Sequence, residues 1–117
     1  MGAAHVDLEI EKGTTFKYSL AYLNADNTPI PLTGFTARMQ IRQKHASAAA
    51  LADYSTANGK ITLNEAEGKI FIKVPASETE YTWVDGVYDL VIISPQGEVT
   101  RLLEGAITVS PNVTKIS

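Results

Sequence analysis

The segment Gly86-Val87-Tyr88-Asp89-Leu90-Val91-Ile92-Ile93 constrains this chain more than any other. It closes the stretch Tyr81 to Ser94 and is the longest nearly unbroken apolar run, most of it β-branched. Asp85-Gly86 brackets it on one side and Pro95-Gln96-Gly97 on the other. A membrane-spanning helix needs ~20 apolar residues. A run this short between turn residues predicts a β-strand buried on both faces.

The 117 residues make one domain of ordinary size, able to bury roughly two-thirds of its unfolded surface. Hydrophobic residues make up 44% and charged residues 20%, as in soluble globular domains. The net charge of −3 argues against nucleic acid as a partner, and no apolar stretch argues for a membrane. The absence of cysteine excludes disulfides and thiolate chemistry, and suits a reducing compartment. Met1 to Glu11 lacks the basic start and apolar core of a secretory signal. Residues 1–5 read as a tag or disordered start, 6–110 as the domain, and 111–117 as a flexible tail.

Val6 to Ile10 alternates apolar and acidic residues, a half-buried first strand. After Lys12-Gly13, the stretch Thr14 to Leu23 sets Phe16, Tyr18, Leu20 and Tyr22 on one face, a core strand. Asn24 to Pro29 is a hairpin loop whose Asn and Asp oxygens suit local turn bonding better than calcium. Ile30 to Gly34 reads as a short edge segment around Pro31. Phe35 to Arg42 alternates strictly, with Arg38, Arg42 and nearby Lys44 forming an outward basic stripe, read as a solvated face.

Ala46 to Ala52 is locally helix-prone, yet a sandwich calls for a strand nearby; it is read as a loose connection into a short strand through Tyr54. Asn58-Gly59 reads as a hairpin turn. Ile70, Ile72 and Val74 then alternate with Phe71 and Lys73. Ser77-x-x-Glu80 has the form of a capping box, placing a helical turn near 77–82 as the crossover between two sheets. In the last strand Arg101 interrupts the parity of Val99, Leu103, Ile107 and Val109, and Glu104-Gly105 suggests a bulge that resets it.

Asp85-Gly86-x-Tyr88-x-Leu90 resembles strand F of immunoglobulin-like domains, where a tyrosine hydroxyl bonds to backbone a few residues upstream. Leu90 stands at the position of their cysteine, so apolar packing must replace a disulfide. The expected fold is all-β: an antiparallel immunoglobulin-like β-sandwich of seven to nine strands with one short helical turn.

Catalytic chemistry finds little footing. His5 and His45 lack a second ligand at metal-site spacing, and Ser47 beside His45 is only loop adjacency. The acidic pairs Glu9/Glu11, Glu65/Glu67 and Asp85/Asp89 fall at turn or surface positions, and the eight glycines are scattered singly. The expectation is a protein that is not an enzyme and needs no metal or cofactor. Outward Phe71, with Val91 and Ile93 opposite the Tyr88 face, are candidate interface residues. Tyr54, Tyr81 and Trp83 are the candidate platform for a carbohydrate-binding or adhesin-type alternative, although Trp83 also suits a cover over the open end of the core.

Several phrases carry a further resemblance: Asp7 to Phe16, Asp26 to Arg42 with its Pro31-Leu32-Thr33-Gly34, Asn58 to Leu63, Gly86 to Leu90, and Ser94 to Gly105. Together they resemble a family of small bacteriophage virion proteins, similar to the N-terminal domain of phage baseplate upper proteins. The resemblance covers nearly the whole chain and brings no catalytic residues. It implies a structural adaptor or decoration element of tail, baseplate or head, folded in the host cytoplasm before assembly into the virion. Its partners would be other virion proteins and further copies of itself.

Overall fold

A computed structural model describes residues 3–113; Met1, Gly2 and tail residues 114–117 lie outside the described residues. In chain order the strands are β1 (Ala4–His5), β2 (Leu8–Glu11), β3 (Phe16–Ala21), β4 (Thr36–Arg42), β5 (Ala52–Ser55), β6 (Ile61–Asn64), β7 (Lys69–Val74), β8 (Asp85–Ile93) and β9 (Val99–Ser110). A single 3-10 turn, Ala76–Glu78, lies between β7 and β8. The chain is therefore all-β, with two sheets stacked as a sandwich.

The larger sheet runs β1-β9-β8-β4-β5, with β2 also on β9, and the smaller runs β3-β7-β6. Alternation decides which side chains face inward. Ala37, Met39 and Ile41 of β4, and Tyr88, Leu90 and Ile92 of β8, meet Ile70, Ile72 and Val74 of β7 in one buried cluster. Each large aliphatic side chain taken from water there contributes on the order of 1.5–3 kcal/mol. Leu32, from the stretch read as a short edge segment, is a fully buried plug in irregular chain.

Several expectations need correction. β8 is fully buried on one face only; Val87, Asp89, Val91 and Ile93 on its other face are half-buried. The sheets are not purely antiparallel, because β1 and β2 run parallel to β9. That pairing sets Ala4–His5, both exposed, alongside Leu103 and Glu104 of β9. Asn58-Gly59 is not a hairpin turn: β5 belongs to the larger sheet and β6 to the smaller, so the turn is a crossover. Asn58 holds it by accepting from the Ser55 and Lys60 amides and donating to the Asp53 carbonyl.

The second crossover lies close to its expected place, at residues 76–78, but no capping box forms. Pro75 is the N-cap residue, and no side chain caps the start of the turn. Instead the buried Thr79 hydroxyl donates to the Thr14 carbonyl at 2.7 Å and accepts from the Gly13 amide at 3.1 Å. The β9 bulge falls at Leu102, since Leu90 pairs with Leu103 and Val91 with Arg101. Leu102 is the extra residue, so Val99 and Arg101 face outward while Leu103, Ile107 and Val109 are buried.

Candidate interaction surfaces

The outer face of the larger sheet carries a charged layer. Arg38 on β4 lies opposite Ser55, one pleat from the Gln40–Asp53 pair on the same ladder. Its guanidinium donates twice to Asp53, through Nη2 at 2.7 Å and Nε at 3.3 Å, and Gln40 adds a third donor at 3.0 Å. The Arg38 hydrogen bond is the main reason the Asp53 carboxyl sits below its ordinary value. Arg42 donates to the Gln40 side-chain oxygen and to the Ser47 and Ala48 carbonyls. Arg101 approaches Asp89 at 3.4 Å and Glu104 at 3.2 Å.

A concavity of about 170 Å³ lies among Arg42, His45, Asp89 and Arg101. Its guanidiniums, those of Arg42 and Arg101, are already engaged by protein oxygens; of the basic stripe Arg38, Arg42 and Lys44, Arg38 is ion-paired with Asp53 and Arg42 is held by neutral oxygens. Val91 and Ile93 lie on this same outer face, half-buried, opposite Arg38 and Thr36 respectively. Val99, across from Ile93, is 61% exposed. Sequence parity had placed Val99 inward; only the bulge reveals it.

The outer face of the smaller sheet is different. Phe71 is 39% exposed, with Ser19 and Thr62 as cross-strand partners. Lys17 stands directly opposite Lys73, and Lys69 follows on the same strand. Phe71 and the Val91/Ile93 pair therefore occupy opposite outer faces of the sandwich, and the structure does not bring them together. Of the lysines around Phe71, the sequence alternation placed Lys73 on its face, whereas Lys17 joins it only through strand pairing.

The three aromatic residues of the alternative platform divide. Tyr54 is 1% exposed and belongs to the core, so it is unavailable to a ligand. Its hydroxyl lies 2.6 Å from that of Tyr81. Tyr81 and Trp83 are half-buried, with ring centroids 5.0 Å apart and planes tilted by 33°. Both pack against the core cluster. Trp83 Nε1 is buried with no hydrogen-bond partner among the described residues. Burial raises the Tyr54 and Tyr81 phenols above their ordinary range.

In the Asn24–Pro29 loop, Asp26 accepts from the Thr28 hydroxyl at 2.6 Å and its amide at 3.1 Å. Those bonds, the hydroxyl's first, lower the Asp26 carboxyl. Among the described residues no group of three or more His, Cys, Asp or Glu could hold a metal ion. No helix among them is long and apolar enough to cross a membrane. A scan against protein-family models finds no match, and a search of curated proteins finds none either.

Proposed function

We propose that this chain is a non-enzymatic structural domain of a bacteriophage particle, an adaptor or decoration element of tail, baseplate or head that works by protein–protein contact. The resemblance of its sequence phrases to small virion proteins motivates the reading. The finer immunoglobulin-like assignment belongs to the same proposal. Strand order supports it, with β9, β8, β4 and β5 in the positions of G, F, C and C′, and β3, β7 and β6 in those of B, E and D.

The observation that carries the reading is Phe71. A large aromatic ring on the central strand of a three-stranded sheet face keeps 39% of its surface open to solvent. Such a ring ringed by polar residues has the make-up of an interface centre. Mass spectrometry of purified particles from cells producing the chain should find it in fixed stoichiometry. Phe71→Asp should remove it from particles while the free variant keeps its fold by circular dichroism. Wild-type chain absent from the particles would overturn the proposal.

A further inference from the structure

Two groups of charges that join no close ion pair among the described residues lie on opposite outer faces. Lys17 and Lys73 face each other across the β3–β7 ladder, an arrangement that costs free energy in isolation. Neither joins an ion pair among the described residues, and Lys69 has only the 3.9 Å approach of Glu67. Phe71 lies among these lysines. On the opposite outer face, where β8 begins, Glu9 and Asp85 both flank Thr108, one on each side. Glu11 lies one pleat further along β2. All three carboxylates are exposed, no ion pair among the described residues engages them, and Val84 beside Asp85 is 66% exposed.

We infer that the Lys17–Phe71–Lys73 face docks the Glu9–Asp85 corner of a second copy of this chain. The charge balance favours that occupant. The chain has ten Lys and Arg against thirteen Asp and Glu, so setting the three face lysines aside leaves seven cations among thirteen acids. Outside that one face, another copy is strongly acidic. Two copies meeting face to face would oppose lysine to lysine, so the contact is head-to-tail and propagates into a ring or a filament. Phe71 supplies the desolvated centre and the lysines the rim. This inference rests on the reading that the chain acts through its surfaces, and names what one surface takes.

Sedimentation velocity on the full chain tests it. Association should grow with protein concentration at about 0.05 M salt and weaken roughly tenfold at about 0.5 M, as screening shortens the reach of the charges. K17E/K73E and E9K/D85K should each weaken self-association about tenfold or more, the neutral K17Q/K73Q less so. An equimolar mixture of the two charge-reversed variants should associate again, because each offers the face the other now needs. A wild-type monomer at every concentration, association that survives K17E/K73E, or a mixture that stays monomeric would each overturn the inference. Any of those results alongside wild-type incorporation into particles would leave the proposed function standing.

Discussion

The Tyr88 hydroxyl donates to the Val6 carbonyl at 2.5 Å, joining the central strand to the junction of β1 and β2. The phenol thus reaches a backbone carbonyl 82 residues away, not the nearby backbone that the strand-F resemblance implied. The same junction is held by the Val6 amide on the Glu104 carbonyl and by the Ala106 amide on Asp7. Tyr88→Phe should leave the Val6 carbonyl unpaired and cost about 1–3 kcal/mol in urea unfolding. Amide exchange should quicken first in Leu8–Glu11. Unchanged protection there would show that the bond does not anchor the edge.

Gly105 packs against that Val6 carbonyl so closely that a Cβ would overlap it. Gly68 is tighter in another way: its φ is +64°, and a Cβ would lie 2.8 Å from the Ile30 and Tyr22 carbonyls. Gly68→Ala should cost about 2–4 kcal/mol. Gly59→Ala, at φ +79° but in open space, should cost only about 1 kcal/mol. Equal melting points for the two variants would refute this distinction.

Alkaline pH should unfold the protein through its buried phenols. Burial raises Tyr54 and Tyr81, and pushes Tyr88 up to about 12 from 10.0. A group raised on folding contributes stability that is complete below its unfolded value. Above pH 10.0 the unfolded phenols ionise first, so stability falls as pH rises toward the folded values. The slope should be roughly 1.4 kcal/mol per pH unit for each such tyrosine. Tyr88→Phe should flatten it, as read by urea titration across this range.

Acid pH acts with the opposite sign. Arg38 and Gln40 hold Asp53 below its ordinary 3.8. The stability this contributes is present above that value and lost as pH falls through the lower folded one. The pair is largely exposed, so Asp53→Asn should cost on the order of 0–1 kcal/mol at neutral pH. It should also make the acid limb of the stability profile shallower. A larger neutral-pH loss would mean that Asp53 also braces the β4–β5 edge.

Trp83 separates packing from ligand binding. Trp83→Ala should lower stability by about 2–3 kcal/mol through lost burial against Tyr81. Trp83→Phe should cost less than about 1 kcal/mol, since it removes a buried N–H that has no partner among the described residues. Glycan binding by the wild type, lost in Trp83→Phe at unchanged stability, would instead favour the carbohydrate-platform alternative.

Strands that alternate strictly were legible because period two is written in the residues themselves. Phe16 to Ala21, Thr36 to Arg42 and Lys69 to Val74 all follow it. What the residues could not show is which sheet a strand joins. Asn58-Gly59 was legible as a turn, but Asn58 does not take the positive φ of an Asn-Gly hairpin, and its flanking strands go to different sheets. The Leu102 bulge was hidden for a similar reason, because it is defined by the register of β8 against β9. Phe71 was found by its wrong-side apolarity, whereas its lysine frame required β3 to be laid beside β7.

The parallel pairing of β2 with β9 has a kinetic side. Asp7 and Ala106 are ninety-nine residues apart, so closing that ladder carries a large loop-closure entropy and slows folding. While the chain is being synthesised, β8 emerges before β9 exists, leaving its most hydrophobic strand with an open edge. A chaperone that masks that edge until β9 arrives would raise the yield of folded protein, and a stalled ribosome would release an aggregation-prone fragment.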